Sequence, residues 1–210
     1  EDVNLYKSLL DEMGFDDKMI NNLPILETQR LILREICEKD AKDMNEYAKI
    51  PYVGPEAGWE PHTTLSYTKD VIRMFNRKKY YGQLGVFAII LRENNKMIGT
   101  VELHTYTPSF KAELGYTVSP YYWGFGYAVE ASKEVIKYGF EELNLKRIEC
   151  MCFPENAQSK RVCEKLLFPY EGVRRKGYQL YNGRISDLIS FAMTDDDYYK
   201  IKEEKLWEKK

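Results

Sequence analysis

Histidine is scarce in this 210-residue chain, with His62 and His104 the only two. Cysteine is nearly as scarce: Cys37, Cys150, Cys152 and Cys163, with no Cys-x-x-Cys pair among them. So few imidazoles and thiols, without metal-ligand spacing, make a zinc or other metal site unexpected. Cys150 and Cys152 share one strand-like run and are expected on opposite faces, as buried thiols of a reducing cytoplasm. No apolar run approaches the roughly 20 residues needed to span a bilayer, so no membrane segment is expected. The opening Glu1-Asp2-Val3-Asn4 is acidic and lacks the basic and apolar regions of a signal peptide. An excess of one charge is also missing, since 31 Lys and Arg against 33 Asp and Glu leave a formal net charge of −2. That balance does not suit a polyanion, and nucleic acid is not an expected partner. Finally, no Gly-Lys pair exists anywhere, which excludes a P-loop.

What remains is the composition of a globular protein, 44% hydrophobic and 30% charged, of a length that suits one domain with its own core. Leu5, Leu9, Leu10 and Met13 lie at helical spacing, so residues 1–24 read as a helical extension closed by Pro24. The pattern then predicts a strand from Glu27 to Ile36, a helix from Asp40 to Lys49 and a Pro- and Gly-rich loop from Ile50 to His62. A second helix follows, capped by Thr64 or Ser66 and reaching about Lys79. Val86–Leu91 and Met97–Thr105 read as a hairpin, and Glu113–Ser119 as a fourth strand. A helix from Ala128 to Leu143, a strand from Arg147 to Phe153 and a short helix from Ser159 to Leu167 come next. Gln179–Tyr181 and Ile185–Ala192 flank the hairpin turn Asn182-Gly183. Thr194 caps a charged helix running to Lys210. These elements divide the chain into an extension over 1–24, one mixed α/β domain over 25–195 and a terminal helix over 196–210.

The most telling stretch is Trp123-Gly124-Phe125-Gly126-Tyr127-Ala128, between the fourth strand and the long helix. A strand, a glycine turn and a helix start together point unpaired backbone N–H groups at a phosphate, with the positive end of the helix dipole behind them. The same residues can also form nothing more than a tight turn. A dinucleotide fingerprint would want a small residue at position 129, where Val129 stands.

In this order the pieces resemble the GNAT superfamily of acyl-CoA N-acyltransferases, and within it the ribosomal-protein-alanine N-acetyltransferase branch. Glu27-Thr28-Gln29-Arg30-Leu31-Ile32-Leu33-Arg34 is similar to the branch's opening strand. Ile98-Gly99-Thr100 matches its third strand, and Glu113-Leu114-Gly115-Tyr116 with the glycine turn matches its fourth strand and pyrophosphate turn. Glu155-Asn156-x-x-Ser159 with Glu164-Lys165 is similar to its next helix. The resemblance covers about residues 25 to 195. Where the branch writes Lys-Leu-Gly-Phe, this chain has Lys165-Leu166-Leu167-Phe168, which leaves the exit of that helix open.

The resemblance implies a GNAT-like fold, a mostly antiparallel central sheet splayed between its fourth and fifth strands and flanked by helices. It implies an N-acetyltransferase that uses acetyl-CoA as acyl donor, without a metal, on a primary amine. The acceptor would be a protein N-terminus or a small amine, attacked directly in a ternary complex by a cytoplasmic monomer or homodimer. Backbone amides of Gly124, Phe125, Gly126, Tyr127 and Ala128 would hold the pyrophosphate, with Trp123 a cofactor-binding residue at the same turn. The edge at Tyr116 and Val118 would pair with the pantetheine arm, with the Val118 N–H facing the thioester oxygen. Asn156 would bond the arm as well, or simply cap its helix.

For the proton that the amine must lose, the resemblance offers Glu113, with Glu102 in reserve. An α-amine titrates near 8 and a lysine amine near 10.4, so a lysine costs about 3 kcal/mol more to deprotonate, which mildly favours an α-amine acceptor. Many relatives protonate the leaving thiolate with a tyrosine, but the matching position here is Cys163, and the branch offers Ser159 instead. Trp59 and His62, in the loop between the first two helices, would wall the acceptor pocket, or else be ordinary packing residues. A non-catalytic acyl-CoA-binding module is the alternative that the missing tyrosine favours.

Overall fold

The computed structural model describes residues 22–209. The expected N-terminal helix falls almost wholly outside them, and residues 22–24 carry no regular structure. Eight strands form one sheet: β1 (Leu26–Glu27), β2 (Leu31–Glu35), β3 (Phe87–Leu91), β4 (Met97–Thr107), β5 (Lys111–Val118), β6 (Arg147–Cys152), β7 (Tyr170–Gln179) and β8 (Ile185–Thr194). Their order across the sheet is β1-β2-β3-β4-β5-β6-β8-β7. Every neighbouring pair is antiparallel except β5 and β6. The helices are α1 (Ala41–Ala48), α2 (Val53–Ala57), α3 (Leu65–Arg77), α4 (Tyr127–Glu141), α5 (Ala157–Lys165) and α6 (Asp195–Glu203).

The central strand explains the layering. β3 is apolar at every position, Phe-Ala-Ile-Ile-Leu, and all five residues are buried. Alternation sends Phe87, Ile89 and Leu91 into one core and Ala88 and Ile90 into the other. The first core packs beneath α4 with Ala131, Val135, Ile136 and Phe140. The second packs beneath α1 and α3 with Met44, Tyr47 and Ile72. Helices therefore cover both faces of the sheet.

Several expectations are corrected. The first strand is two, because the chain turns at Thr28, whose N–H donates to the Leu31 carbonyl at 3.0 Å, and β1 folds back on β2. The loop after α1 contains the short helix α2. The strand expected over 179–181 is the ten-residue β7, ending at Gln179. Its mostly exposed face explains why Arg174, Arg175 and Lys176 masked it. The terminal helix ends at Glu203, while Thr194 caps its start as expected, accepting from the Asp197 N–H at 3.3 Å. The helix exit in question is explained by φ: Leu167 sits at φ 64°, where a side chain costs energy and glycine would not.

Cys150 and Cys152 do not point to opposite faces. Residues two apart on a strand share a face. Both thiols lie beside Cys163, whose Sγ is 3.1 Å from that of Cys150. All the cysteines in the described residues are free.

Candidate active site

β5 and β6 are in register from Lys111 opposite Arg147 to Leu114 opposite Cys150, and there the pairing stops. β5 continues to Val118, so its last four residues have β4 on one side and a gap on the other. The direction of each amide follows from one bond. The Ser119 N–H donates to the Ile98 carbonyl at 2.7 Å, so alternation turns the N–H groups of Val118 and Tyr116 away from β4 and into the gap. The Val118 carbonyl faces the same way and accepts the Trp123 indole N–H at 2.7 Å, which ties the following bend to the strand end.

That bend is the second half of the site. Gly124 and Gly126 sit at φ 84° and 83°, a region that side chains enter only at a cost. α4 begins at Tyr127 with no side-chain cap. Among the described residues the amides from Gly124 through Val129 have no hydrogen-bond acceptor. Gly124, Gly126, Tyr127, Ala128 and Val129 line a cleft of about 860 Å³ that also takes in the gap beside β5. Phe125 is outside it, 61% exposed and stacked on Tyr127. Arg30 braces the helix start. Its guanidinium grips Glu130 at 2.6 Å and lies 4.4 Å over the Tyr127 ring. Unpaired amides at a positive helix end, beside an idle strand edge, fit a diphosphate joined to an amide-bearing arm.

Residues 30–168 match the acetyltransferase (GNAT) domain. The chain belongs to this family. It is 36% identical to the uncharacterized N-acetyltransferase p20 of Bacillus licheniformis over 174 residues, which is 82% of this chain and 97% of that protein. Among solved structures it is similar to a GNAT-family acetyltransferase from Bacillus anthracis, with TM-score 0.73 and 29% identity over 82% of this chain and 99% of that one. It is also similar to the ribosomal-protein-S5-alanine acetyltransferase of Vibrio fischeri, with TM-score 0.68 and 26% identity over 84% and 99% of the two chains. The GNAT domain carries the family's reaction, transfer of an acetyl group from acetyl-CoA to an amine.

The cleft of this GNAT domain is lined by carboxylates, Glu102 and Glu113 among them. Glu113 lines it from β5, with His104 opposite on β4 and the His104 Nε2 3.7 Å from Glu113 Oε1. Burial pushes the Glu113 carboxyl above its ordinary pKa, and nearby Glu149 adds to this, against the pull of His104, Arg174 and Lys111. Glu102 lines the same cleft but is ion-paired with Lys78. Trp59 and His62 both face the cleft, their rings 5.2 Å apart. His62 is 5% exposed, and burial lowers its pKa to about 4. It is a neutral hydrogen-bonding group at neutral pH, with Nδ1 2.9 Å from Thr68 Oγ1.

On the other wall, Asn156 caps α5 by accepting the Ser159 N–H at 2.9 Å, and its Nδ2 donates to the Glu56 carbonyl of α2 at 3.2 Å. Ser159 Oγ lies 2.9 Å from the Tyr116 hydroxyl. Cys163 is fully buried beneath them. The sequence reading did not find His104 as a neighbour of Glu113, since a strand pairing is needed to bring them together. It also missed Tyr67 and Tyr178, which line the cleft from α3 and β7.

Proposed function

We propose that this protein acetylates the α-amine of a protein N-terminus, by direct attack of the amine on acetyl-CoA in a ternary complex. The single observation that carries the donor half is the run of unpaired amides from Gly124 through Val129, facing the same cleft as the unpaired edge of β5. In this reading the bend holds the diphosphate and the β5 edge pairs with the pantetheine arm. The Val118 N–H meets the developing oxyanion. Glu113 takes the amine's proton, directly or through water. A raised pKa suits a base working near neutrality, and Glu102 is already engaged by Lys78. Ser159 meets the leaving sulfur. Trp59 and neutral His62 wall the acceptor.

The likeness to an S5-alanine acetyltransferase supports an α-amine acceptor, as does the lower cost of deprotonating one. The test is thiol release from acetyl-CoA across a panel of amines: N-terminal peptides, lysine side-chain peptides, polyamines and aminoglycosides. Turnover greatest on α-amine peptides is expected. Faster turnover on another class would move the acceptor, and CoA binding with no turnover on any amine would make this an acyl-CoA-binding module.

A further inference from the structure

The helix position where many relatives resembling this chain carry a tyrosine is Cys163, and it cannot serve the leaving group. It is fully buried, with its sulfur packed 3.1 Å from Cys150. A tyrosine is nevertheless present, supplied from the other side of the gap. Tyr116 rises from the unpaired end of β5 and crosses to α5. Its hydroxyl lies 2.9 Å from Ser159 Oγ and donates to the Ser159 carbonyl at 3.3 Å. Both residues line the cleft. A phenol hydrogen shared between that carbonyl and Ser159 Oγ leaves the serine's own hydrogen free to turn into the cleft.

We propose that Tyr116 and Ser159 act together on the leaving sulfur, receiving it as a thiolate by hydrogen bonding and leaving its protonation to solvent. This rests on the reading of the cleft given above. Ser159 is the contact and Tyr116 the positioning residue that fixes its rotor. Relative acidities require the division of labour. A thiol titrates near 8.5 and a tyrosine near 10, and an aliphatic hydroxyl is weaker still. Burial, with the Cys150 and Cys163 thiols alongside, holds the Tyr116 proton more tightly yet. Neither hydroxyl surrenders its proton to a weaker base, but the Ser159 hydroxyl can donate a hydrogen bond to a full negative charge, where such bonds are strongest.

The step balances without a protein acid. The amine's lone pair forms the C–N bond, and its surplus proton passes to Glu113. The C–S bond breaks with its electron pair on sulfur, which takes a proton from water once CoA has left. The other ionisable groups around the pair are the thiols of Cys150, Cys152 and Cys163 on β6 and α5, with Lys160 and Glu164 at the helix surface.

The test measures proton release on binding, by calorimetry in buffers of different ionisation enthalpy, for CoA against desulfo-CoA. A hydrogen-bonded thiolate is expected to titrate about one unit lower than free thiol. At about pH 8, CoA should then release roughly half a proton more than desulfo-CoA. Tyr116→Phe and Ser159→Ala should each remove most of that excess while desulfo-CoA affinity stays within about twofold. Ser159 is half-buried in the first turn of α5 and its replacement by alanine keeps the backbone bond to Asn156, so its variant serves if Tyr116→Phe fails to fold. No excess in the native protein, or an undiminished excess in both variants, overturns the proposal while leaving the cleft reading intact. Failure of desulfo-CoA to bind at all overturns both.

Discussion

Replacing Gly126 by aspartate should separate folding from donor binding more sharply than any other single change. Gly126 is the residue before the first turn of α4, at φ 83°. A Cβ there meets only one atom within 4 Å, the Arg30 Nη2 at 3.8 Å. The left-handed conformation costs a side chain about 1–2 kcal/mol, least for Asp and Asn. An acidic group at a helix N-terminus returns about 0.3–1 kcal/mol of this, and the Arg30 guanidinium, already paired with Glu130, adds a positive charge alongside. The variant should therefore fold with nearly native stability. Binding should fare differently. A carboxylate about 5 Å from one charge of a diphosphate, at an effective dielectric near 20, opposes it by about 3 kcal/mol. That is on the order of a hundredfold in Kd for CoA. Thermal melts and calorimetry with CoA, at low and high salt, read the two effects. Gly126→Asn is the control, with the same backbone and almost the same shape but no charge. It should bind CoA far better than Gly126→Asp, and salt should narrow the difference. If aspartate leaves CoA affinity unchanged, or asparagine loses as much as aspartate, the bend does not hold a diphosphate in the way argued.

Glu113→Gln should lower kcat about a hundredfold or more with CoA affinity unchanged, and should remove the acid limb of the pH–rate profile. Because burial raises the Glu113 pKa, the native state keeps that proton at pH values where the unfolded chain has lost it. Stability then falls as pH rises through that interval, and the glutamine variant should melt higher than the native protein at neutral pH. His62 has the opposite sign. Its pKa falls from 6.5 to about 4, so the unfolded chain binds the extra proton between those values and stability is lost as pH drops through them. The loss reaches at most about 3 kcal/mol, and His62→Gln should flatten it in acid melts. An equally steep acid loss in the variant would show that His62 is not its source.

The sequence made the layered fold and the glycine bend readable because both are local. The apolar run of β3, the turn glycines and the Thr194 cap each announce themselves within a few residues. The proposed catalytic wall was legible only in part. Glu113 and Ser159 could be named by resemblance, but the company they keep depends on pairings across the sheet. His104 reaches Glu113 through the register of β4 and β5, and Tyr116 reaches Ser159 across a gap that only tertiary structure creates. β7 stayed hidden because an exposed edge strand need not alternate, and β1 because its turn at Thr28 uses neither glycine nor proline.

The early parting of two parallel strands has an evolutionary corollary. Main-chain atoms are shared by all residues, so a surface made from them tolerates drift in the side chains around it and continues to recognise one unchanging molecule. The opposite wall is assembled from side chains on α2, α3 and the loop bearing Trp59, and in the function proposed above each exchange there alters what is welcomed. On that proposal, descendants of such an enzyme can retarget their acceptor by point mutation without relearning how to grasp their donor.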